Sequence, residues 1–253
     1  MKGIEGKLAA FAAAAALALG GLAGCGGEEP RASGATAARP ATAVAPGDAA
    51  AAAAAEGVPV RAAAGAARTG RLLRGIPQRG IELGARDARV TVVVFADVQC
   101  PYCKAFWRNV LPRVVERYVR PGRVKVVLRD VAFLGVDSVR GAQFAGAAGL
   151  QNKLWDVTDL LYRHQGAENS GWVTDELLRR IGAGVPGLEV ERALADRGDR
   201  RVAQELRRAR DEAADYRVTG TPSLLVGRTG DFVYPVPDTT YAGLRAAIEQ
   251  ALH

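Results

Sequence analysis

The sequence predicts an α/β domain built as β-α-β, a helical insertion and then β-β-α around one central sheet. Three observations carry this. A continuous β-branched run, "RVTVVVFAD" (Arg89 to Asp97), has the composition of a strand buried on both faces. Strand chemistry returns in "PGRVKVVLRD" (Pro121 to Asp130) after a single helix, and so short a crossover favours a parallel, right-handed unit. From Ser138 to about Arg217 the apolar period is helical, before "TPSLLVG" (Thr221 to Gly227) and "GDFVYPV" (Gly230 to Val236) restore the strand pattern.

The front of the chain reads differently. Lys2 and Lys7 form a basic start, Leu8 to Leu19 an apolar run, and Leu22-Ala23-Gly24 leads into Cys25. The run is rich in weakly apolar alanine and shorter than the roughly 20 residues of a spanning helix, so cleavage is expected. Leu-Ala-Gly-Cys resembles the lipobox of bacterial lipoproteins, which implies a signal peptide over 1–24 and lipid attachment at Cys25. From Gly26 to about Arg68 the chain is alanine, glycine, proline and threonine with no apolar period. Such a stretch cannot bury enough surface to offset its ordering entropy, so 25–70 is expected to be a tether. About 43 residues of flexible coil reach roughly 35 Å.

The folded domain is expected over 71–253. Pro101 opens its first helix, which carries Phe106, Val110, Leu111, Val114, Val115 and Val119 inward and should kink at Pro112. Four or five helices fit the insertion at 138–217, and an amphipathic helix from Thr239 to Leu252 closes the chain. Phe106, Trp107, Phe144 and Trp155 are expected in the core. No internal repeat is present.

"FADVQCPYCKAFW" places Cys100 and Cys103 between a buried strand and a helix start. A closed zinc site wants four ligands, and the chain offers only Cys25, His164 and His253 besides this pair. A purely structural disulfide closing so short a loop would remove little entropy from the unfolded state. A redox-active pair fits the placement. Unpaired N–H groups and the helix dipole favour thiolate at a helix start, and such sites lower a thiol pKa from about 8.5 to about 3.5–7.5. Stabilising the reduced form makes the pair a stronger oxidant. Cys100 is expected to be the attacking and attacked sulfur, and Cys103 the resolving one. Dithiol exchange needs no metal and no cofactor beyond the Cys100–Cys103 disulfide, and it has no use for His164, which is expected on a helix surface.

"VTVVVFADVQCPYCKAFW" followed by "YRVTGTPSLLVG" resembles the DsbA-type oxidoreductases of the thioredoxin fold, in particular their membrane-associated bacterial, BdbD-like branch. The resemblance covers about Val90 to Leu252. It implies a cis proline at Thr221-Pro222 packed against the cysteine pair, a backbone edge at Thr221 that pairs with an extended client, and shaping of the site by Pro101 and Tyr102. It also implies client proteins with free thiols or disulfides, and a membrane redox partner similar to DsbB or to vitamin K epoxide reductase homologues. Many relatives carry an acid six positions before the first cysteine; here that position is Val94. Asp97 is expected to cap the following turn, leaving Lys104 or water for proton handling.

The formal charge is +7, and removal of residues 1–24 takes away Lys2, Lys7 and Glu5, leaving +6. Arginines dispersed among acids, as in "DRGDRRVAQELRRARDEAADYR", read as a solvated helix face and not as a nucleic-acid surface. The expected activity is extracytoplasmic donation of disulfides. A reductase or isomerase on the same fold is the alternative, with a non-enzymatic tethered lipoprotein as a second; no dimerisation module is evident.

Overall fold

The computed structural model describes residues 58–253, with side chains from Gly65 onward. The expected signal segment 1–24, Cys25 and the tether up to residue 57 lie outside the described residues.

Helix α1 (Val58–Leu73) precedes a short hairpin of β1 (Gln78–Arg79) and β2 (Glu82–Leu83). Next come β3 (Val90–Ala96), α2 (Pro101–Asn109) and α3 (Leu111–Val114), the last continuing as a π-helical turn over Val115–Val119. After β4 (Val124–Asp130) the insertion supplies α4 (Val136–Gly149), α5 (Leu154–Arg163), α6 (Asp175–Ala183), α7 (Val190–Ala195) and α8 (Arg200–Asp215). The chain closes with β5 (Ser223–Arg228), β6 (Tyr234–Val236) and α9 (Tyr241–Leu252). The six strands form one sheet in the order β1-β2-β4-β3-β5-β6, with β3 and β4 parallel and every other pair antiparallel. This is the thioredoxin-like arrangement with a helical insertion.

The β3 run is explained by its position. As the strand between β4 and β5 it is covered on both faces, so an unbroken series of valines suits it better than alternation. Val90, Val92 and Val94 face a core shared with α2, α3 and α9, whereas Val93 and Phe95 face Ala213 of α8. The insertion has a core of its own around Phe144, Leu160, Leu161 and Leu178. All four expected core aromatics are buried. The break falls where proline predicts it: α2 ends at Asn109 with Val110 as its C-cap, and Pro112 occupies the first turn of α3, where its missing N–H costs nothing. Among the described residues no helix is long and apolar enough to cross a membrane.

Two features differ from expectation. Helix α1 starts at Val58, inside the segment expected to be a tether up to Gly70, and its end enters the core through Leu72 and Leu73. Low aromatic mass suggests a tether, but alanine is the strongest helix former, and small residues let α1 lie close on α5. A Cβ at Gly65 would sit 3.4 Å from Arg163 Cδ. The β1–β2 hairpin was not anticipated, because two-residue strands carry no readable alternation.

The seam between α1 and α5 is polar at its centre. Thr69, 2% exposed, donates to Asp159 Oδ2, and Arg163 Nε donates to the same oxygen at 2.7 Å. Substitution Asp159→Ala leaves a hydroxyl and a guanidinium without their acceptor in a nearly dry seam. It should lower stability by about 3 kcal/mol in urea unfolding, and a loss below about 1 kcal/mol would show that α1 is held by its leucines alone.

Candidate active site

Cys100 is the N-cap of α2, with extended backbone, and Pro101 fills the first helical position. Its side chain therefore stands over the unpaired N–H groups of the first turn. As a thiol, Cys100 Sγ donates to the Thr221 carbonyl at 3.1 Å. As a thiolate it accepts instead from the Cys103 N–H, 3.4 Å away, from the Cys103 thiol, from the Tyr102 N–H and from the Thr221 side chain. The Cys103 thiol contributes most, and together these donors outweigh burial and lower the Cys100 pKa from 9.0 to about 6. Cys103, one turn further on, is fully buried. Burial first, and then the hydrogen bond and charge of Cys100, push its pKa well above 9.0. Both cysteines are free, so the structure describes the dithiol form.

The Thr221-Pro222 peptide bond is cis and immediately precedes β5, whose pairing with β3 carries Thr221 to the cysteines. Two segments 121 residues apart thus meet because their strands are neighbours. Tyr102 projects into solvent, 74% exposed, and Pro101 is exposed beside it. Cys103 shares the buried core with three aromatics, among which Trp107 contacts Tyr162 at 4.5 Å and stacks on Trp155 at 5.9 Å between ring centroids. Such pairs add roughly 0.5–1.5 kcal/mol each beyond burial.

The loop before Cys100 is held from within. Asp97 is buried and caps the turn as expected: Oδ1 accepts from Gln99 N at 2.8 Å and Ser138 Oγ at 2.6 Å, and Oδ2 from Leu134 N at 3.0 Å. Its carbonyl accepts from Cys100 N and from the Tyr162 hydroxyl, both at 3.0 Å. Residues that sequence reasoning missed complete the frame. Gln99 binds Leu134, Ser138 and Asn169, and Gln165 Nε2 donates to the carbonyls of Val98 at 2.7 Å and Cys100 at 3.1 Å. All but Gln99 come from the loops and helices of the insertion, and no spacing in the sequence marks them.

Val94 is sealed in the apolar core, so no acid stands there. Lys104 is occupied with the Gln165 carbonyl at 3.3 Å. The buried carboxyl nearby is Asp130, paired in register with Ala96, and burial together with the charge of Asp97 holds it well above 3.8. His164 sits at the end of α5 with Nδ1 2.8 Å from the Leu160 carbonyl. Among the described residues no group of three or more His, Cys, Asp or Glu could hold a metal.

A thiolate-favouring cysteine at a helix start, a buried partner thiol and a cis proline beside them form one constellation. The thioredoxin family model matches residues 78–250. The probable disulfide bond formation protein D of Bacillus anthracis is 33% identical over 173 residues, covering 67% of this chain and 77% of that protein. This chain belongs to the DsbA-type thiol-disulfide oxidoreductases. Among solved structures, this oxidoreductase is similar to oxidised BdbD from Bacillus subtilis at 25% identity and a TM-score of 0.60, over 70% of this chain and 97% of that one. It shares its fold with Chlamydia trachomatis DsbA at 19% identity and a TM-score of 0.58, over 67% and 90% of the two chains.

Proposed function

We propose that this oxidoreductase donates disulfides to client proteins outside the cytoplasm, with Cys100 as the exchanging sulfur and Cys103 as the resolving one. The observation that carries this direction is the asymmetry of the pair. A Cys100 thiolate with a pKa near 6 is a good leaving group at neutral pH, and its stabilisation favours the reduced enzyme over the disulfide.

A client thiolate attacks Cys100 Sγ of the Cys100–Cys103 disulfide, and the S–S bond breaks with its electron pair on Cys103. That sulfur, buried and strongly basic, takes up a proton. A second client thiolate then attacks the client sulfur of the mixed disulfide, forming the client disulfide and expelling Cys100 as the thiolate. Two electrons pass from client to enzyme.

The exposed Tyr102 and Pro101 and the Thr221 backbone form the rim on which an extended client would lie. Reoxidation requires an acceptor, for which a quinone-linked membrane protein of the DsbB or vitamin K epoxide reductase type is the fitting class. Lipid attachment at Cys25 would hold the enzyme beside such a partner, two acyl chains being needed for a lasting anchor.

The reduction potential tests the direction. Equilibration with glutathione buffers, scored by alkylation of Cys100 and Cys103, should place the pair well above about −200 mV, toward the roughly −120 mV of strong oxidants. A value near −270 mV would make the protein a reductant.

A further inference from the structure

When a client opens the disulfide, the sulfur of Cys103 leaves as an anion in a place that water does not reach, because Cys103 is fully buried. An ion formed there depends on donors that the protein supplies. The Asp97 backbone and the Thr221 side chain already favour it. The chemistry leaves one further group beside it unused, the hydroxyl of Tyr162.

Tyr162 lies near the end of α5 and is buried. Trp107 packs on its ring, and both residues share a core with Cys103. In the dithiol the Tyr162 hydroxyl donates to the Asp97 carbonyl at 3.0 Å. That carbonyl also accepts from the Cys100 N–H at 3.0 Å, so it keeps a partner when the hydroxyl turns away. The hydroxyl is within hydrogen-bond reach of the Cys103 sulfur as well. A neutral thiol is a weak acceptor, which leaves the carbonyl preferred. A thiolate is a charged acceptor and reverses the choice.

The surroundings keep this hydroxyl a donor. Burial first, and then the charges of Cys103, Asp130 and Asp97, push its pKa well above 10.0. It therefore carries its proton wherever the enzyme works.

We propose that Tyr162 is a catalytic residue of the exchange, its hydroxyl turning from the Asp97 carbonyl to the Cys103 sulfur as the S–S bond breaks. The client sulfur bonds to Cys100 Sγ, and the electron pair of the S–S bond goes to Cys103 Sγ. Tyr162 donates a hydrogen bond to that sulfur and keeps its own proton. The proton that finally neutralises Cys103 is the one the client thiol lost on ionising. In the reverse step the same hydrogen bond stabilises the Cys103 thiolate as it attacks the mixed disulfide. This role rests on Cys100 as the exchanging sulfur and holds for either direction of net electron flow.

The test mixes the full chain with reduced or oxidised glutathione, then uses acid quench and mass spectrometry to separate the disulfide, mixed-disulfide and dithiol forms. Tyr162→Phe keeps the ring and removes the donor. Opening of the disulfide, and its reclosure from the mixed disulfide, should both slow by at least about tenfold, the scale of a hydrogen bond to a charged group. Their ratio should stay within twofold, because at pH 7 neither end state holds a Cys103 thiolate. Attack of Cys100 on oxidised glutathione, a step in which Cys103 neither attacks nor leaves, should also stay within twofold. Opening and reclosure at wild-type rates would overturn the proposal. So would a loss spread evenly over all three steps, which would mean that the hydroxyl only props the loop. If glutathione never appeared on Cys100 in the wild type, the assignment of Cys100 would fall, and this role with it.

Discussion

Cys100→Ser should abolish disulfide transfer to a reduced client, with a loss of more than about 1,000-fold, because removal of a nucleophile takes the reaction path with it. Cys103→Ser should behave differently. Its Cys100 remains at the helix start with its backbone donors, so it should still attack a client disulfide, but no second thiol can then release the product. A stable mixed disulfide through Cys100, visible as a mass increase reversed by reductant, is the expected species. If Cys103→Ser turned over normally, or if mixed disulfides formed through Cys103 in Cys100→Ser, the assigned roles would be reversed or void. The buried position of Cys103 argues against that outcome, since a client sulfur has no approach to it.

The second large effect is on pH. In the reduced enzyme, alkylation of Cys100 should follow a single titration with its midpoint near pH 6, while Cys103 stays unreactive through neutral pH. The same shift predicts a stability difference. A thiol whose pKa is lower in the folded state adds stability that is complete above the unfolded value of 9.0 and is lost as pH falls through about 6. At pH 7 only the interval above the folded pKa counts, and one unit is worth about 1.4 kcal/mol. The reduced protein should therefore gain roughly that much relative to the disulfide form between pH 6 and pH 7, measured as the difference between the two unfolding free energies. A difference that stays flat from pH 5 to pH 9 would show that Cys100 is an ordinary thiol and would remove the basis for net oxidation.

The insertion meets the cysteine loop directly. Gln165 follows α5, and Asn169 and Ser138 are also contributed by the insertion, so the helices placed between the two halves of the sheet also brace the redox loop. Asp97 joins the two parts: its carboxylate takes donors from Ser138 and Leu134, and its carbonyl holds the N–H of Cys100.

The sequence by itself determined the elements whose physics is local. The valine run of β3, the Pro101 helix start, the break at Pro112, the closing helix and the cysteine pair could all be read directly, because each is written in neighbouring residues. Thr221 and Pro222 were legible only through resemblance to a family, since nothing near them names Cys100. Tertiary structure alone decided the rest. That α1 begins at Val58 depends on the groove α5 offers it, and that Cys103 is the more basic thiol depends on Trp107, Tyr162 and the helices that exclude water from it. Gln99, Gln165 and Asp130 are ordinary polar residues in the sequence. Their importance comes from burial and from partners many residues away, quantities that exist only once the chain has folded.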